Sequence, residues 1–544
     1  MPVIRVGIER LVRLTGLRGE ELEDVLFRLK CETETVEGEI AIEVNPDRPD
    51  MFIGEGIARA VKGLLGIEKG WKPPKAEDSG ITIRAGRVPS RPFIAGLVVY
   101  DAGVDEEFLI ELIQFQEKLH EGMGRNRRKI AIGLHDLDKL PSTSITYEAS
   151  GLETVFKPLG YGEEMSGREI LERTEQGLKY GRISLEGNTH PFLYSGGEVI
   201  AMPPVINSDI TRVEPGTRSL FIDVTGTDLG LVLQVTDLLA STLSERRGAW
   251  IGKVAISGVP GVAETPLLKT RKMRLSTRYV SRLIGSELGA EQCIDLLGRA
   301  RFNAGLAGGD SLIVEVPPFR VDIIGEADLV EDIAMMIGYD RLEPSKERPI
   351  MRGELLAETL VSRRLRKLLV GLGFTETMQL ILSNPRVADS LGFRNYIEVS
   401  NPVQAEYSIV RPSIIVSLLS TLIKGQHSTK PVKIFEIGKV AYLDEGRVKE
   451  DLRLGVAYLD DEVSYEDIQA PIYAILRLLG VRYSVEEWSR PPLLSGRASM
   501  IVSGEAIIGW MGEVDPGALE ALGIEYPVAV AEISVPRLSS SPKT

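Results

Sequence analysis

The spacing of apolar residues changes repeatedly along this chain, and that change restricts the possible folds more than any other feature. In residues 22–29, three leucines and a valine recur at helical spacing, which predicts one buried helix face. The stretch ETETVEGEIAIE that follows alternates apolar and polar residues as a strand does. Blocks of both kinds continue through 544 residues, a length that suits about three to five domains. The pattern therefore predicts an α+β multidomain fold.

Two stretches rich in proline, glycine and charged residues separate the apolar blocks. GWKPPKAEDSG, at 70–80, predicts a first linker, and EPSKERPIMRG, at 343–353, predicts a second. Near residue 268 the pattern also switches to a compact helix–helix–strand–helix unit. We therefore expect four domains, at residues 1–75, 81–266, 268–342 and 355–540.

The composition excludes several classes of protein. With 43% hydrophobic and 26% charged residues, the chain has the balance of a globular protein and not of a disordered one. Apolar runs stay well short of the roughly 18 residues that span a bilayer, and charges interrupt the first segment. We therefore predict no membrane span, no signal peptide and a cytoplasmic location. Two cysteines and four scattered histidines predict neither a disulfide framework nor a zinc cluster.

A net charge of −14 argues against nucleic-acid binding over the whole surface, but it leaves room for local basic patches. Each basic run has two interpretations, a phosphate contact or a solvated face. The runs are RNRRK at 125–129 and the group Arg363, Arg364, Arg366 and Lys367.

Four carboxylates occur within eleven residues near the end of the third predicted domain. Three of them follow the i, i+3, i+4 spacing that places side chains on one helix face. Carboxylate oxygens are ligands that Mg²⁺ prefers, so a metal site is one interpretation. The other is the solvated face of an amphipathic helix, and spacing alone favours it. The four residues are Asp322, Asp328, Glu331 and Asp332.

A polar cluster occupies AMPPVINSDITRVEPGTRSLFIDVTGTD, residues 201–228. It includes a predicted strand-to-helix turn, where free backbone N–H groups suit an anion or a carbonyl oxygen. The alternative is ordinary helix capping by Thr227 or Asp228 together with turn chemistry. The main catalytic signatures, a phosphate-binding loop, H-E-x-x-H and a nucleophile elbow, are missing from the sequence. The cluster's other polar side chains include Asn207, Ser208, Asp223 and Thr225.

Several long motifs occur in order through nearly the whole chain. They include NPDRPDMFIGEGIARAVKGLLG, GRNRRKIAIGLHDLDKL, AMPPVINS, LFIDVTGTD, VPPFRVDIIGEADLVEDIAMMIGYDRL and, further on, NPVQAEYSIVRPSIIVSLLSTL and GWMGEVDPGALEALGI. Together they resemble the β subunit of phenylalanyl-tRNA synthetases of the archaeal/eukaryotic type.

The resemblance implies an (αβ)₂ heterotetramer that charges tRNA(Phe), with ATP used at the α subunit. It implies an N-terminal α/β domain, a tRNA-editing domain, a winged-helix-like B5 domain and a class II synthetase-like antiparallel-sheet domain without an active site. These match the four predicted domains in order. It also implies Mg²⁺ shared with the α subunit. The implied ligands are Asp322, Asp328, Glu331 and Asp332.

The resemblance further implies hydrolysis of mischarged tyrosyl-tRNA(Phe). An apolar phenylalanine pocket rejects an added hydroxyl poorly, whereas a site that hydrogen-bonds the phenol can select the error. Asp223 and Thr225 would orient the substrate and a water. The segment offers no Cys, metal cluster or Ser–His pair, so hydrolysis would rely on a positioned water. The pocket would be lined by Met202, Pro203, Asn207 and Ser208.

Two other functions stay open. The chain could be a non-catalytic scaffold and tRNA-binding subunit, in which case the polar cluster is only structural. It could also be a ligase in its own right. The motif-2-like IVRPSII contains Arg411, but no ATP-binding arginine motif follows it, which argues against the second of these functions.

Overall fold

The computed structural model describes residues 2–36, 38–343 and 353–540. The chain divides into two compact units, Met1–Glu347 and Arg348–Thr544. Both units mix helices with sheets, which confirms the predicted α+β multidomain class. The second predicted linker, at 343–353, lies almost wholly outside the described residues. Within the described ranges, no helix is long and apolar enough to cross a membrane.

The first unit begins with a small antiparallel sheet and three helices. Helix Gly19–Arg28 buries Leu22, Val25 and Leu26, which confirms the helix predicted from their spacing. The stretch predicted as a strand forms two strands of the sheet. In spatial order the strands are Val3–Gly7, Glu39–Glu43 and Glu32–Val36. The helices are Ile8–Thr15, Gly19–Arg28 and Gly54–Leu64, with a 3-10 turn at Pro49–Met51.

The largest sheet in the described residues has 10 strands and belongs to the first unit. Strand Ala76–Ala85 runs parallel to both of its neighbours. Because it starts inside 70–80, the predicted linker there is wrong over its second half. Trp71, in the first half, is buried, and its N–H donates to Asn303 Oδ1 at 3.1 Å. In spatial order the strands are Ile206–Asn207, Glu198–Met202, Thr189–Ser195, Ser144–Gly151, Ala76–Ala85, Trp250–Ser257, Phe93–Tyr100, Leu220–Gly226 and Ile130–Asp136, with Glu264–Thr265 beside Trp250–Ser257.

Two long helices, Glu106–Glu121 and Leu229–Leu243, pack against this sheet. The Asp105 carboxylate caps the first by accepting from the N–H of Phe108, and Asp228 caps the second by accepting from Leu231. The turn after LFIDV is therefore a capped helix start, as the capping interpretation expected. The shorter elements are helices Gly167–Arg173 and Glu175–Tyr180, strands Val155–Phe156 and Met165–Ser166, and 3-10 turns Leu137–Lys139, Gly181–Ile183 and Asp209–Thr211.

The last part of the first unit confirms the predicted order of helix, helix, strand and helix. The structure adds two strands, which pair with the predicted one in a three-stranded sheet. Ser276 caps its helix by accepting from the N–H of Tyr279. In spatial order the strands are Arg271–Ser276, Ser311–Val316 and Asn303–Gly308. The helices are Thr277–Ile284, Ala290–Arg299 and Glu326–Ile337, followed by a 3-10 turn at Tyr339–Arg341.

The second unit is built on a seven-stranded sheet, antiparallel except at one edge. Helix Ala357–Gly371 exposes Arg363, Arg364 and Lys367, in agreement with a solvated basic face. In spatial order the strands are Thr375–Glu376, Val432–Asp444, Arg447–Leu459, Val528–Ser534, Ala506–Val514, Leu493–Ser503 and Ser484–Glu487. A smaller sheet contains Leu382–Ser383, Ile409–Val410 and Ile397–Glu398. The helices are Ala357–Gly371, Pro385–Ser390, Ile414–Gly425, Tyr465–Leu478, Pro516–Leu522 and Val535–Ser540, with a 3-10 turn at Ala405–Tyr407.

Candidate functional site

A cavity of about 320 Å³ lies where the two ends of the 10-stranded sheet come together. Strand Ile130–Asp136, at one end of the spatial order, lines it, and so does the segment 203–207 at the other end. The side-chain amide of Asn207 donates to the Leu134 carbonyl at 3.0 Å and joins the two ends. Helix Glu106–Glu121 lines a further side. The polar lining residues are Gln116, Glu117, Arg127, Gln176, Asn207 and Asp223.

Three of the six residues predicted for a pocket here line the cavity: Pro203, Asn207 and Asp223. Asp223 is only 1% exposed and projects from the middle of strand Leu220–Gly226. A carboxylate that is almost fully buried and yet borders a cavity is an unusual feature, because burying a charge is costly unless it is paired. Among the predicted residues, Asp223 therefore has a position from which it could act on a molecule in the cavity.

The other three predicted residues do not line the cavity. Met202 is fully buried in a small apolar cluster. The Ser208 hydroxyl donates to a backbone carbonyl at 3.2 Å. The Thr225 hydroxyl accepts from Nε of Arg91 at 2.9 Å, and Thr225 is fully buried. These side chains support the walls of the cavity, because each of them already has a partner inside the protein.

Arg91 holds together two segments that border the cavity. Its guanidinium donates to both the hydroxyl and the carbonyl of Thr225, and Nη1 donates to the carbonyl of Arg127 at 3.2 Å. The Tyr147 hydroxyl donates in turn to the Arg91 carbonyl at 2.6 Å. Burial lowers the pKa of Arg91 to about 10. The strand that presents Asp223 is thus tied to the basic run at 125–129.

Arg127 belongs to the cavity wall and not to a solvated face. It is the last of three consecutive residues with left-handed backbone, whose φ values are 48°, 54° and 63°. Nη2 of Arg127 donates to Glu117 at 2.6 Å, while Nη1 donates to two carbonyls of the segment 203–207. Burial opposes ionisation of Glu117, but hydrogen bonding to His120 and the charge of Arg127 outweigh it and lower the pKa of Glu117 to about 2. An ionised carboxylate therefore faces this cavity beside a guanidinium.

His135 is a residue of this site that the sequence did not reveal. Its Nε2 lies 3.1 Å from Oδ2 of Asp223, and its Nδ1 lies 2.7 Å from Oγ1 of Thr211. The histidine is paired with a threonine and not with a serine, so the expectation that the segment offers no Ser–His pair is not contradicted. The contact with Asp223 depends on residues 88 apart in the chain, which meet through the antiparallel register of their two strands. A His-Asp dipeptide at 135–136 was the only available signal.

The four predicted metal ligands, at 322, 328, 331 and 332, line one small cavity of about 40 Å³. Each also has a protein partner. Arg320 donates to Asp322 and to Asp332, with both of its shortest contacts at 2.6 Å. Asp328 accepts from two backbone N–H groups at the start of its helix, and Glu331 pairs with Lys30. Among the described residues, no group of three or more His, Cys, Asp or Glu is arranged to hold a metal ion.

The donor chemistry nevertheless fits Mg²⁺, which binds carboxylate oxygens and water. Burial raises the pKa of Asp332, while the charge of Arg320 opposes that rise. Nη1 of Arg320 is buried and has no hydrogen-bond partner in the described part of the chain. Asp328 and Glu331 have partners other than Arg320.

Arg411, the arginine of the motif-2-like segment, is buried and is bound to other residues of the protein. It is 1% exposed, and its Nη1 lies 2.7 Å from Oε1 of Glu436. Nε donates to the Lys439 carbonyl at 2.9 Å. A guanidinium with these partners stabilises the sheet and is not free to bind a nucleotide phosphate.

Comparison with known proteins gives matches in both units. A family profile described as the phenylalanyl tRNA synthetase beta chain CLM domain matches residues 345–535, and one described as the tRNA synthetase B5 domain matches residues 273–339. The phenylalanine–tRNA ligase beta subunit of Aeropyrum pernix is 54% identical over 539 residues, 98% of each chain. That of Saccharolobus solfataricus is 40% identical over 547 residues, 99% of each chain.

A solved structure is also similar to the first part of the chain. It is an N-terminal fragment of the phenylalanyl-tRNA synthetase beta subunit from Pyrococcus horikoshii, with 33% identity and a TM-score of 0.58. The match covers 62% of this chain and 99% of the fragment. The fold and these matches define a subunit of an aminoacyl-tRNA synthetase, a ligase of protein biosynthesis. More specifically, the chain belongs to the family of phenylalanine–tRNA ligase β subunits, which confirms the resemblance seen in its motifs.

Proposed function

We propose that this chain assembles with an α subunit to charge tRNA(Phe) with phenylalanine, and that its own cavity hydrolyses mischarged tyrosyl-tRNA(Phe). The names of its relatives, which are β subunits of phenylalanine–tRNA ligases, support the first part. The second part rests on one observation, the Asp223 carboxylate bordering a cavity of about 320 Å³. That volume lies at the lower end of the roughly 300–1,000 Å³ found for small-molecule sites.

The cavity lining combines apolar side chains with a few polar groups, which suits a tyrosyl group. Ile113 and Leu134 are among its apolar residues. A phenolic hydroxyl inside would find an ionised acceptor in Glu117 and a donor in Arg127. Phenylalanine lacks the hydroxyl that would hydrogen-bond these groups, and a site that binds a hydroxyl discriminates against the analogue without it better than an apolar pocket does.

In the proposed reaction, Asp223 accepts a proton from a water, whose oxygen attacks the carbonyl carbon of the tyrosyl ester. The tetrahedral intermediate collapses, the bond between that carbon and the ribose oxygen breaks, and the ribose oxygen receives the proton. The products are tyrosine and tRNA(Phe), with no change of oxidation state. Thr225 acts indirectly, because it anchors Arg91 behind the strand that presents Asp223. Asn207 would hold the terminal nucleotide near Pro203.

We extend the proposal to the assembly and its parts. The chain would form an (αβ)₂ heterotetramer in the cytoplasm, with ATP consumed at the α subunit. Its regions would be an N-terminal α/β domain, a tRNA-editing domain, a winged-helix-like B5 domain and a class II synthetase-like domain without an active site. Mg²⁺, when bound, would supply positive charge shared with the α subunit. Its ligands would be Asp322, Asp328, Glu331 and Asp332.

The test is hydrolysis of preformed tyrosyl-tRNA(Phe) by the chain assembled with its α partner. Asp223→Asn keeps the shape of the side chain but removes the base, so we expect deacylation to fall by about 100-fold or more. Asp138→Asn, a charge change at an exposed residue near the same sheet end, is the matched control and retains full activity. A wild-type assembly without deacylation would leave the chain as a scaffold and tRNA-binding subunit.

A further inference from the structure

We propose that His135 is a positioning residue for the proposed hydrolysis, and that Thr211 fixes the orientation of its ring. His135 would hold one oxygen of Asp223 so that the other is presented to the attacking water. The inference rests on the proposed function of the cavity. It assigns a role to two buried residues outside the predicted set.

The three side chains form a continuous hydrogen-bonded row. The Thr211 hydroxyl lies 2.7 Å from Nδ1 of His135, and Nε2 lies 3.1 Å from Oδ2 of Asp223. Thr211, His135 and Asp223 are 1%, 0% and 1% exposed. Of the three, only Asp223 lines the cavity. Water therefore reaches the row only at its carboxylate end.

The chemistry of the partners determines where the imidazole proton lies. An ionised carboxylate can only accept, so Nε2 of His135 must donate to Asp223. The neutral ring then leaves Nδ1 as an acceptor, which the Thr211 hydroxyl satisfies by donating. In this arrangement an N–H of His135 points at Oδ2 of Asp223.

Strand register explains why this row forms. Residue 135 pairs with Phe221 across the two antiparallel strands, and Gly133 pairs with Asp223, so the side chains share one face. His135 packs beside the Phe221 ring, with centroids 5.7 Å apart, and reaches diagonally to the carboxylate. Gly133 provides the space, because a Cβ there would meet Oδ2 of Asp223 at 1.9 Å. The site therefore requires glycine at 133 because any larger side chain would collide with the Asp223 carboxylate.

The order of the groups excludes a nucleophilic role for Thr211. In a Ser-His-Asp triad the hydroxyl faces the substrate and the carboxylate lies behind the imidazole. Here the carboxylate borders the cavity and the hydroxyl lies behind. The same three kinds of side chain therefore support a base that acts on water and form no covalent intermediate.

The experiment measures single-turnover deacylation of tyrosyl-tRNA(Phe) at saturating and subsaturating enzyme, using the full chain with its α partner. His135→Ala should lower the maximal rate by about 10- to 100-fold, the range found when the second hydrogen bond of a metal-bound histidine is removed. The half-saturating concentration should change little, because His135 does not touch the cavity. His135→Gln should recover part of the rate, since its amide nitrogen can replace Nε2 as the donor.

Two further variants test the row without removing the histidine. Thr211→Val keeps the shape but loses the hydroxyl, and we expect a rate between those of wild type and His135→Ala. Gly133→Ala displaces the Asp223 carboxylate and should lower the rate at least as much as His135→Ala. Phenylalanylation and thermal unfolding of each assembly are measured alongside to detect misfolding.

The outcomes separate the two proposals. An undiminished rate in His135→Ala would overturn the positioning role while leaving the function of the cavity intact. A loss in His135→Ala that His135→Gln does not recover at all would assign His135 to packing, and would also overturn it. A wild-type assembly that hydrolyses no tyrosyl-tRNA(Phe) would overturn both proposals together.

Discussion

At the scale of single residues, Asp50 shows how this chain buries charge. It is fully buried between two guanidiniums, with Arg48 Nε at 2.9 Å and Arg59 Nη2 at 3.1 Å. Arg59 also lies over the Phe319 ring, 3.6 Å from its centroid. Burial alone would raise the pKa of Asp50, but the two guanidiniums outweigh it and lower that pKa to about 2. The ionised carboxylate therefore stabilises the folded state more than the protonated form does.

Because the pKa of Asp50 is lowered, we expect the free energy of unfolding to decrease as the pH falls. Because the folded pKa of about 2 lies below the ordinary 3.8, the stabilisation is complete above about pH 4 and is lost as the pH falls towards 2. We expect Asp50→Asn to lower the free energy of unfolding at neutral pH by about 3–5 kcal/mol, because it leaves buried guanidiniums unpaired. Thermal unfolding between pH 7 and pH 2.5 measures both effects.

Asp24→Asn is the control for that series, because Asp24 is exposed on a neighbouring helix. Its unfolding midpoint should follow that of the wild type at every pH. In Asp50→Asn the fall between pH 4 and pH 2.5 should be smaller than in the wild type. An equal fall in the two proteins would contradict the lowered pKa.

At the scale of helices and strands, local pattern was sufficient to predict several of the elements but not all of them. Helix Glu106–Glu121 buries Phe108, Leu112 and Phe115 at the spacing seen in the sequence. Strand Leu220–Gly226 is buried along its whole length, as its apolar run indicated. The start at Ala76 was missed because AEDSG is a turn-like sequence, whose first three residues nevertheless pair with strand Trp250–Ser257. Pairing, and not composition, makes those residues a strand.

The candidate site could be predicted only where it is local. Asn207 and Asp223 were found because polar residues stand out in an apolar segment. Arg127 was assigned no place in the cavity, since its side chain enters through a left-handed turn whose direction the sequence does not give. His135 needed the register between strands far apart in the chain. Met202 was predicted to line the pocket. It packs instead in a buried apolar cluster, because alternate residues of a strand face opposite sides.

The helix that follows Asp223 gives a prediction at this scale. Asp228 caps helix Leu229–Leu243 by accepting from the N–H of Leu231 at 3.1 Å. Asp228→Ala should lower the free energy of unfolding by about 1 kcal/mol, and Asp228→Ser should restore most of it. Deacylation should be the same in both variants. Lost deacylation in a stably folded Asp228→Ala protein would mean that this helix N-terminus binds substrate.

At the scale of the whole molecule, the division into two compact units has a testable consequence. All residues that line the cavity of about 320 Å³, from Leu109 to Asp223, lie in the first unit, together with its core. A fragment ending at residue 343 should therefore fold alone, with one cooperative thermal transition in circular dichroism. A fragment without a cooperative transition would contradict this independence.

The cavity lined by the four carboxylates gives the last prediction, which tests the proposal that Mg²⁺ is shared there with the α subunit. Asp328→Asn keeps an oxygen that accepts from the helix N–H groups, and Glu331→Gln keeps the length of its side chain. Neither change disturbs the Arg320 ion pairs, so the fold should be retained. We expect the double variant to need at least about tenfold more Mg²⁺ for assembly with the α subunit, measured by sedimentation velocity. Glu326→Gln, exposed on the same helix, should assemble as the wild type does. Equal Mg²⁺ dependence in all three proteins would mean that Asp328 only caps its helix and that Glu331 only pairs with Lys30.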